Sequence, residues 1–223
     1  MKGKWAQGIE PRHFTWIVKG RLAVCERPGG YGANHRRVRR QEEIIWLREQ
    51  HFDYVVSLMP APHNLHNYIE LRMPYRHRPF VGNEDADALR ALYVELHGHM
   101  QARRRVVVHR DELGDHVVGL MAGYLLWSGL VDTAPQVVSV IEQLTQRQLG
   151  PLGRHVVTLT ATVAPPGAGE GARPVERAGD AIIGAAEASG LILGTTVSPA
   201  GAVAPVVVAP LSTGEVETEG DNA

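Results

Sequence analysis

The chain is expected to fold as an α/β protein with a central, mostly parallel sheet flanked by helices, followed by a small C-terminal β-α-β appendage. Three observations predict this. Short apolar runs rich in β-branched residues, Asp53–Pro60 and Val106–Val108, read as strands buried on both faces. Longer segments with helical periodicity separate them, and such alternation argues for a covered parallel sheet. Past Gly150 the composition shifts to Ala, Val, Gly and Pro, and aromatic residues disappear.

In order, Phe14–Gly30 predicts one or two short strands closed by a Pro-Gly-Gly turn. A helix starts near Arg36, with Ile44, Ile45, Trp46 and Leu47 as its apolar cluster. The Asp53–Pro60 strand is stopped by Pro60 and Pro62. Pro62–Met73 suits a short helix and Pro74–Phe80 an extended segment. The helix over Glu84–Arg104 begins with acids and ends with bases, as the helix dipole favours, with Leu89, Leu92, Val94 and Leu96 as its core face. After strand Val106–Val108 and a polar loop come a buried helix, Val117–Trp127, and a helix over Pro135–Leu149 with Pro in its first turn. Residues 1–150 form the main domain and 151–213 the appendage: a strand over His155–Val163, a Gly/Pro-rich loop over 164–174, a helix over Val175–Gly190, and one or two strands over 191–211. Residues 214–223 form an acidic disordered tail.

Composition narrows the function classes. Hydrophobic residues make up 44% and charged residues 21% of the 223-residue chain, enough for an ordinary core. A net charge of −1 gives no global field towards nucleic acid or membrane. The uncharged stretch Val117–Val131 is shorter than the ~20 residues a membrane span needs and better suits a buried helix. A single cysteine, Cys25, and no apolar leader point to a reducing, cytoplasmic compartment. Cys25 itself reads as a small buried hydrophobe. The run Arg36, Arg37, Arg39, Arg40 is followed at once by Glu42 and Glu43, which favours a solvated helix face with internal ion pairs over a nucleic-acid patch. His63 and His66, at helical spacing, read as surface polarity.

The chemistry of interest sits between strand Val106–Val108 and helix Val117–Trp127, in "HRDELGDHV". A strand feeding a helix through a tight loop is where backbone N–H groups often hold an anion. Yet Asp111, Glu112 and Asp115 line this loop. Two like charges about 4 Å apart at an effective dielectric near 20 repel by roughly 4 kcal/mol, so several carboxylates oppose a phosphate there. The plain reading is a loop whose carboxylates cap the following helix, with Asp115 near the N-cap. A metal set drawn from His109, Asp111, Glu112, Asp115 and His116 is the alternative.

Stretches "GRLAVCERPGG", "IIWLREQHFDYVVSLMP", "YRHRPF", "VVVH" and "AGYLLWSG", in this order, resemble the dual-specificity branch of the protein tyrosine phosphatases over about Phe14 to Leu149. The resemblance implies a phosphate loop of His-Cys, five residues, Arg, then Ser or Thr. In that family a thiolate attacks phosphorus, the arginine clamps the phosphoryl oxygens, and an aspartate on another loop protonates the leaving oxygen. Laid on this motif, His109 matches the histidine, but Arg110 stands at the nucleophile, His116 at the arginine and Val117 at the hydroxyl. The family glycine falls on Leu113, with Gly114 one residue late. Around the general-acid position lie Glu84, Asp85 and Asp87, none in register. Arg110 is expected to fill the old phosphate site and neutralise Asp111 or Asp115. The resemblance therefore implies a pseudophosphatase: a regulatory or binding module with a protein partner, no cofactor and no catalytic residues. The apolar run Thr195–Leu211 either completes a sheet between two copies or docks within the chain. The competing expectation is an enzyme of other chemistry at the same loop, a metal-assisted hydrolase or a His-dependent phosphoryl transferase, or a phosphatase by family assignment only.

Overall fold

A computed structural model describes residues 7–30, 36–82 and 85–166. Strands β1 (Thr15–Val18) and β2 (Leu22–Glu26) form a hairpin, turned at Gly20 with φ +69°. Helix α1 (Arg37–Glu49) leads to β3 (Tyr54–Ser57), and the short α2 (His66–Glu70) to β4 (Tyr75–His77). Helix α3 (Ala86–Gln101) precedes β5 (Val106–Arg110), which feeds α4 (Asp115–Trp127), α5 (Ala134–Thr145) and α6 (Pro151–Thr160). The sheet order is β1-β2-β5-β3-β4, with only the β1–β2 pair antiparallel. The expected α/β architecture is present.

The side-chain alternation of the strands divides the core in two. Leu22, Val24, Val56, Val106 and Val108 face α3, α4, α5 and α6. Ala23, Cys25, Val55 and Val107 face the other way, against Ile44 and Leu47 of α1 and Tyr68 of α2. Helix α4 is buried along nearly its whole length, as an all-round apolar helix must be. No helix among the described residues is long and apolar enough to cross a membrane.

Three expectations are corrected. His155–Val163 is not a strand: Pro151–Thr160 is helical and packs into the core of the sheet body through Val156 and Val157, with Val163 just beyond it. Its Gly153 meets Gly119 of α4 so closely that a Cβ on Gly119 would lie 2.5 Å from the Gly153 Cα. A β-branched run suggests a strand, but contact with α4 overrides that weak preference. On α3, Val94 is 48% exposed and Tyr93 takes the core place beside Leu89, Leu92 and Leu96, which restores the i, i+3, i+4, i+7 spacing of one helical face. The helix after Pro135 ends at Thr145, where Gln146 turns left-handed. The remaining appendage elements and the tail lie outside the described residues.

Candidate functional site

The loop of interest leaves β5 at Arg110 and enters α4 at Asp115, with Gly114 as N-cap. Alternation on β5 sends neighbouring side chains to opposite faces of the sheet. His109 therefore shares the face of Val107, and Arg110 that of Val108.

Arg110 does not neutralise a loop carboxylate. Its Nη1 donates to Nδ1 of His116, 3.1 Å away. The residues that the resemblance sets at the nucleophile and clamp positions thus bond each other. Asp111 instead accepts from Arg27 Nη1 at 2.8 Å, with the arginine largely covered and the carboxylate 38% exposed. The backbone reinforces this pairing, because Arg27 N–H donates to the Arg110 carbonyl at 2.7 Å. Glu112 is exposed, and Leu113 is buried with its carbonyl accepting from Arg147.

Asp115 corrects the expectation that it caps its own helix. Its carboxylate turns out of α4 and accepts from the Gly150 N–H at 2.6 Å and the Gly153 N–H at 2.8 Å. These are the unsatisfied donors at the start of α6, where an anion is favoured by both hydrogen bonding and the dipole. A Cβ on Gly153 would sit 2.6 Å from Asp115 Oδ1, so the glycine admits the carboxylate. Asp115 is a strut between two helices, directed away from any cradle.

Of the residues the resemblance sets around the general-acid position, Asp85 is the N-cap of α3, accepting from Ala88 N–H at 2.9 Å, and Asp87 lies in that helix's first turn. Glu84 lies outside the described residues. Arg76 of β4 and Arg78 just beyond it both pair with Glu95.

His109 is 1% exposed, and its Nε2 lies 2.9 Å from the Tyr68 hydroxyl. Burial first, then the nearby positive charge of Arg27 and His77, lowers its pKa to about 3, so the ring is neutral at physiological pH. The Nε2 of this ring is engaged by Tyr68, and the ring lies on the face of β5 opposite Arg110. His109, Asp111, Asp115 and His116 have separate partners and do not converge, and no group of three or more metal-ligating side chains gathers among the described residues. Cys25 is fully buried as expected. It is in register with His109 on the neighbouring strand, and burial, then Glu43 and Glu26, raise its thiol pKa well above the ordinary value. It is no replacement nucleophile.

Sequence reasoning missed the residues behind the loop. Arg27, Arg40 and Tyr68 join His109 around a small cavity rimmed by His63 and Asn64. Arg40, expected on a solvated face, is 5% exposed. The signal was its spacing: positions 40, 43, 44 and 47 lie on one helical stripe, and all four are buried. Arg39 does behave as expected, pairing with Glu43 at 2.5 Å, and His63 and His66 are exposed.

No family model matches the chain, and no curated protein does. Solved structures do. A kinase associated phosphatase whose catalytic-site cysteine is replaced by serine aligns over 69% of this chain and 98% of its own, with 17% identity and a TM-score of 0.57. Tk-PTP in its active form aligns over 68% and 98%, with 14% identity and a TM-score of 0.54. The core catalytic domain of the PP-IP phosphatase Siw14 from S. cerevisiae aligns over 69% and 88%, with 12% identity and a TM-score of 0.52. At such identities the likeness is one of architecture: this chain carries the fold of the dual-specificity and protein tyrosine phosphatases.

Proposed function

We propose that this protein is a pseudophosphatase, a phosphatase-fold module that acts by binding a protein partner and does not turn over phosphate esters. One observation carries the reading: the side chain at the nucleophile position is a guanidinium, Arg110, engaged with His116 at the clamp position. An arginine is permanently protonated and has no lone pair with which to attack phosphorus. His116 lacks the two-pronged geometry that holds phosphoryl oxygens through a transition state. Two of the loop's three carboxylates, Asp111 and Asp115, are taken by Arg27 and by the start of α6, which favours a surface kept for contact. A cytoplasmic location is proposed with it, because the lone thiol is buried and no second cysteine exists to pair with it.

The test is purified protein assayed on an aryl phosphate and on phosphotyrosine and phosphothreonine peptides. We expect no turnover above buffer. Turnover that is abolished by Arg110→Ala or His116→Ala overturns the reading.

A further inference from the structure

We propose that the cavity lined by Arg27, Arg40, Tyr68 and His109 is an oxyanion site that takes a phosphate or sulfate group, with Arg40 and Arg27 as its cationic arms. The inference is independent of whether the β5–α4 loop is catalytic.

Arg40 carries it. Its side chain is 5% exposed, its Nε has no hydrogen-bond partner, and it forms no ion pair among the described residues. The carboxylate best placed to answer it, Glu43 one turn on, is committed to Arg39 at 2.5 Å and to the Gly29 N–H at 2.6 Å. Burial, then the like charges of Arg27 and Arg37, lower the Arg40 pKa, outweighing the opposite influence of Tyr68 and Glu70. A buried cation without a counter-charge is costly, and a fold that retains one has a partner for it. Arg27 repeats the pattern: Nη1 is bound to Asp111, while its buried Nε has no partner among the described residues.

The surroundings complete the donor set. His109 Nδ1 is also buried without a partner among the described residues. If the Tyr68 hydroxyl donates to Nε2, the neutral ring carries its proton on Nδ1, a further donor with nothing to receive it. The turn over Arg40 is built to close on it. Gly29 has φ +88°, and a Cβ there would lie 2.6 Å from the Arg40 Cβ. A glycine both adopts that conformation and permits the approach.

The cavity holds about 10 Å³, close to the space of one water-sized group. An oxyanion therefore enters by one oxygen, with its remaining oxygens towards the exposed His63 at the rim. Tetrahedral phosphate and sulfate fit two guanidinium arms, which bind such groups by directed, charge-assisted bonds.

The experiment uses the full chain and compares thermal unfolding and isothermal titration with inorganic phosphate and with sulfate, against chloride at matched ionic strength. Wild type is expected to bind at millimolar concentration and to unfold at a higher temperature in phosphate. Arg40→Met is expected to weaken binding about tenfold or more. Without phosphate it is expected to be no less stable than wild type, since it removes an unanswered buried charge. Arg40→Gln is the second variant, in case the methionine does not fold. Arg110→Ala, on the opposite face of β5, is expected to bind as wild type. Phosphotyrosine displacing inorganic phosphate would assign the group to a modified partner; failure to displace it would assign a free ion, and either result retains the site. The proposal is overturned by no binding of either anion, which leaves a single buried water as the occupant. It is also overturned by binding that survives Arg40→Met and Arg40→Gln but is lost in Arg110→Ala.

Discussion

The β5–α4 loop and the cavity lined by His109 meet at Arg27 yet treat charge in opposite ways. The loop is dense in charged residues, yet Arg110, Asp111 and Asp115 each have a partner supplied by the protein itself. The cavity has fewer charges, yet Arg40, Arg27 and His109 keep buried polar atoms without a partner among the described residues. The difference teaches that a site for an external ligand is marked by unmet polar groups more than by charge density. In the loop that the fold makes conspicuous, Arg110, Asp111 and Asp115 are answered within the protein, while the quieter neighbour gathers Arg40 Nε, Arg27 Nε and His109 Nδ1 without partners among the described residues.

The contrast can be broken or sharpened by measurement. The largest effect belongs to His109. Its folded pKa of about 3 lies below the ordinary ~6.5 of an unfolded histidine, so between those values the unfolded chain binds a proton that the native state refuses. Its contribution to stability is present above pH ~6.5 and is lost as pH falls towards 3, on the order of several kcal/mol in all. Urea unfolding across pH 3 to 7 should show a shallower acid decline in His109→Gln than in wild type, roughly in proportion to that term. Equal slopes would mean the ring is not held neutral on the cavity side.

Next is the loop strut. Asp115→Ala removes the acceptor for two N–H groups of α6 and is expected to cost about 2 kcal/mol in chemical denaturation, with Asp115→Asn milder. A loss below about 0.5 kcal/mol would show that the carboxylate is not spent on α6. The smallest effect on stability, under about 1 kcal/mol, is expected from Asp111→Asn, because that carboxylate is 38% exposed. This variant nonetheless joins the two regions. It releases Arg27, so phosphate affinity at the cavity should rise in titration, and an unchanged affinity would separate Arg27 from the anion.

Much of the fold was legible. Val106–Val108 and Tyr54–Ser57 read as buried strands because β-branched residues follow one another without polar interruption. Helix α4 read as buried because no face of it is polar. Helix α6 was missed because its Val and Thr residues favour a strand when taken locally. Its Gly153, Val156, Val157 and Thr160 nevertheless fall on one buried helical stripe. At the site, the identity of Arg110 and His116 was legible and their mutual bond was not. Asp115 read as a cap, correctly in kind, but for the wrong helix. Arg40 was read with its charged neighbours, although its helical phase places it with Ile44 and Leu47.

The sequence by itself determined the strands and helices of the sheet body up to α5, and which chemical groups stand at the head of α4. Backbone periodicity acts within a turn or two, and a side chain's reactivity is intrinsic to it. Only the tertiary structure decided which charge meets which: Asp115 meets α6 from 35 residues away, Tyr68 meets His109 across 41, and Arg27 meets Asp111 across 84. Pairings of that span depend on how the sheet orders its strands and how closely the helices approach, and no local pattern encodes either.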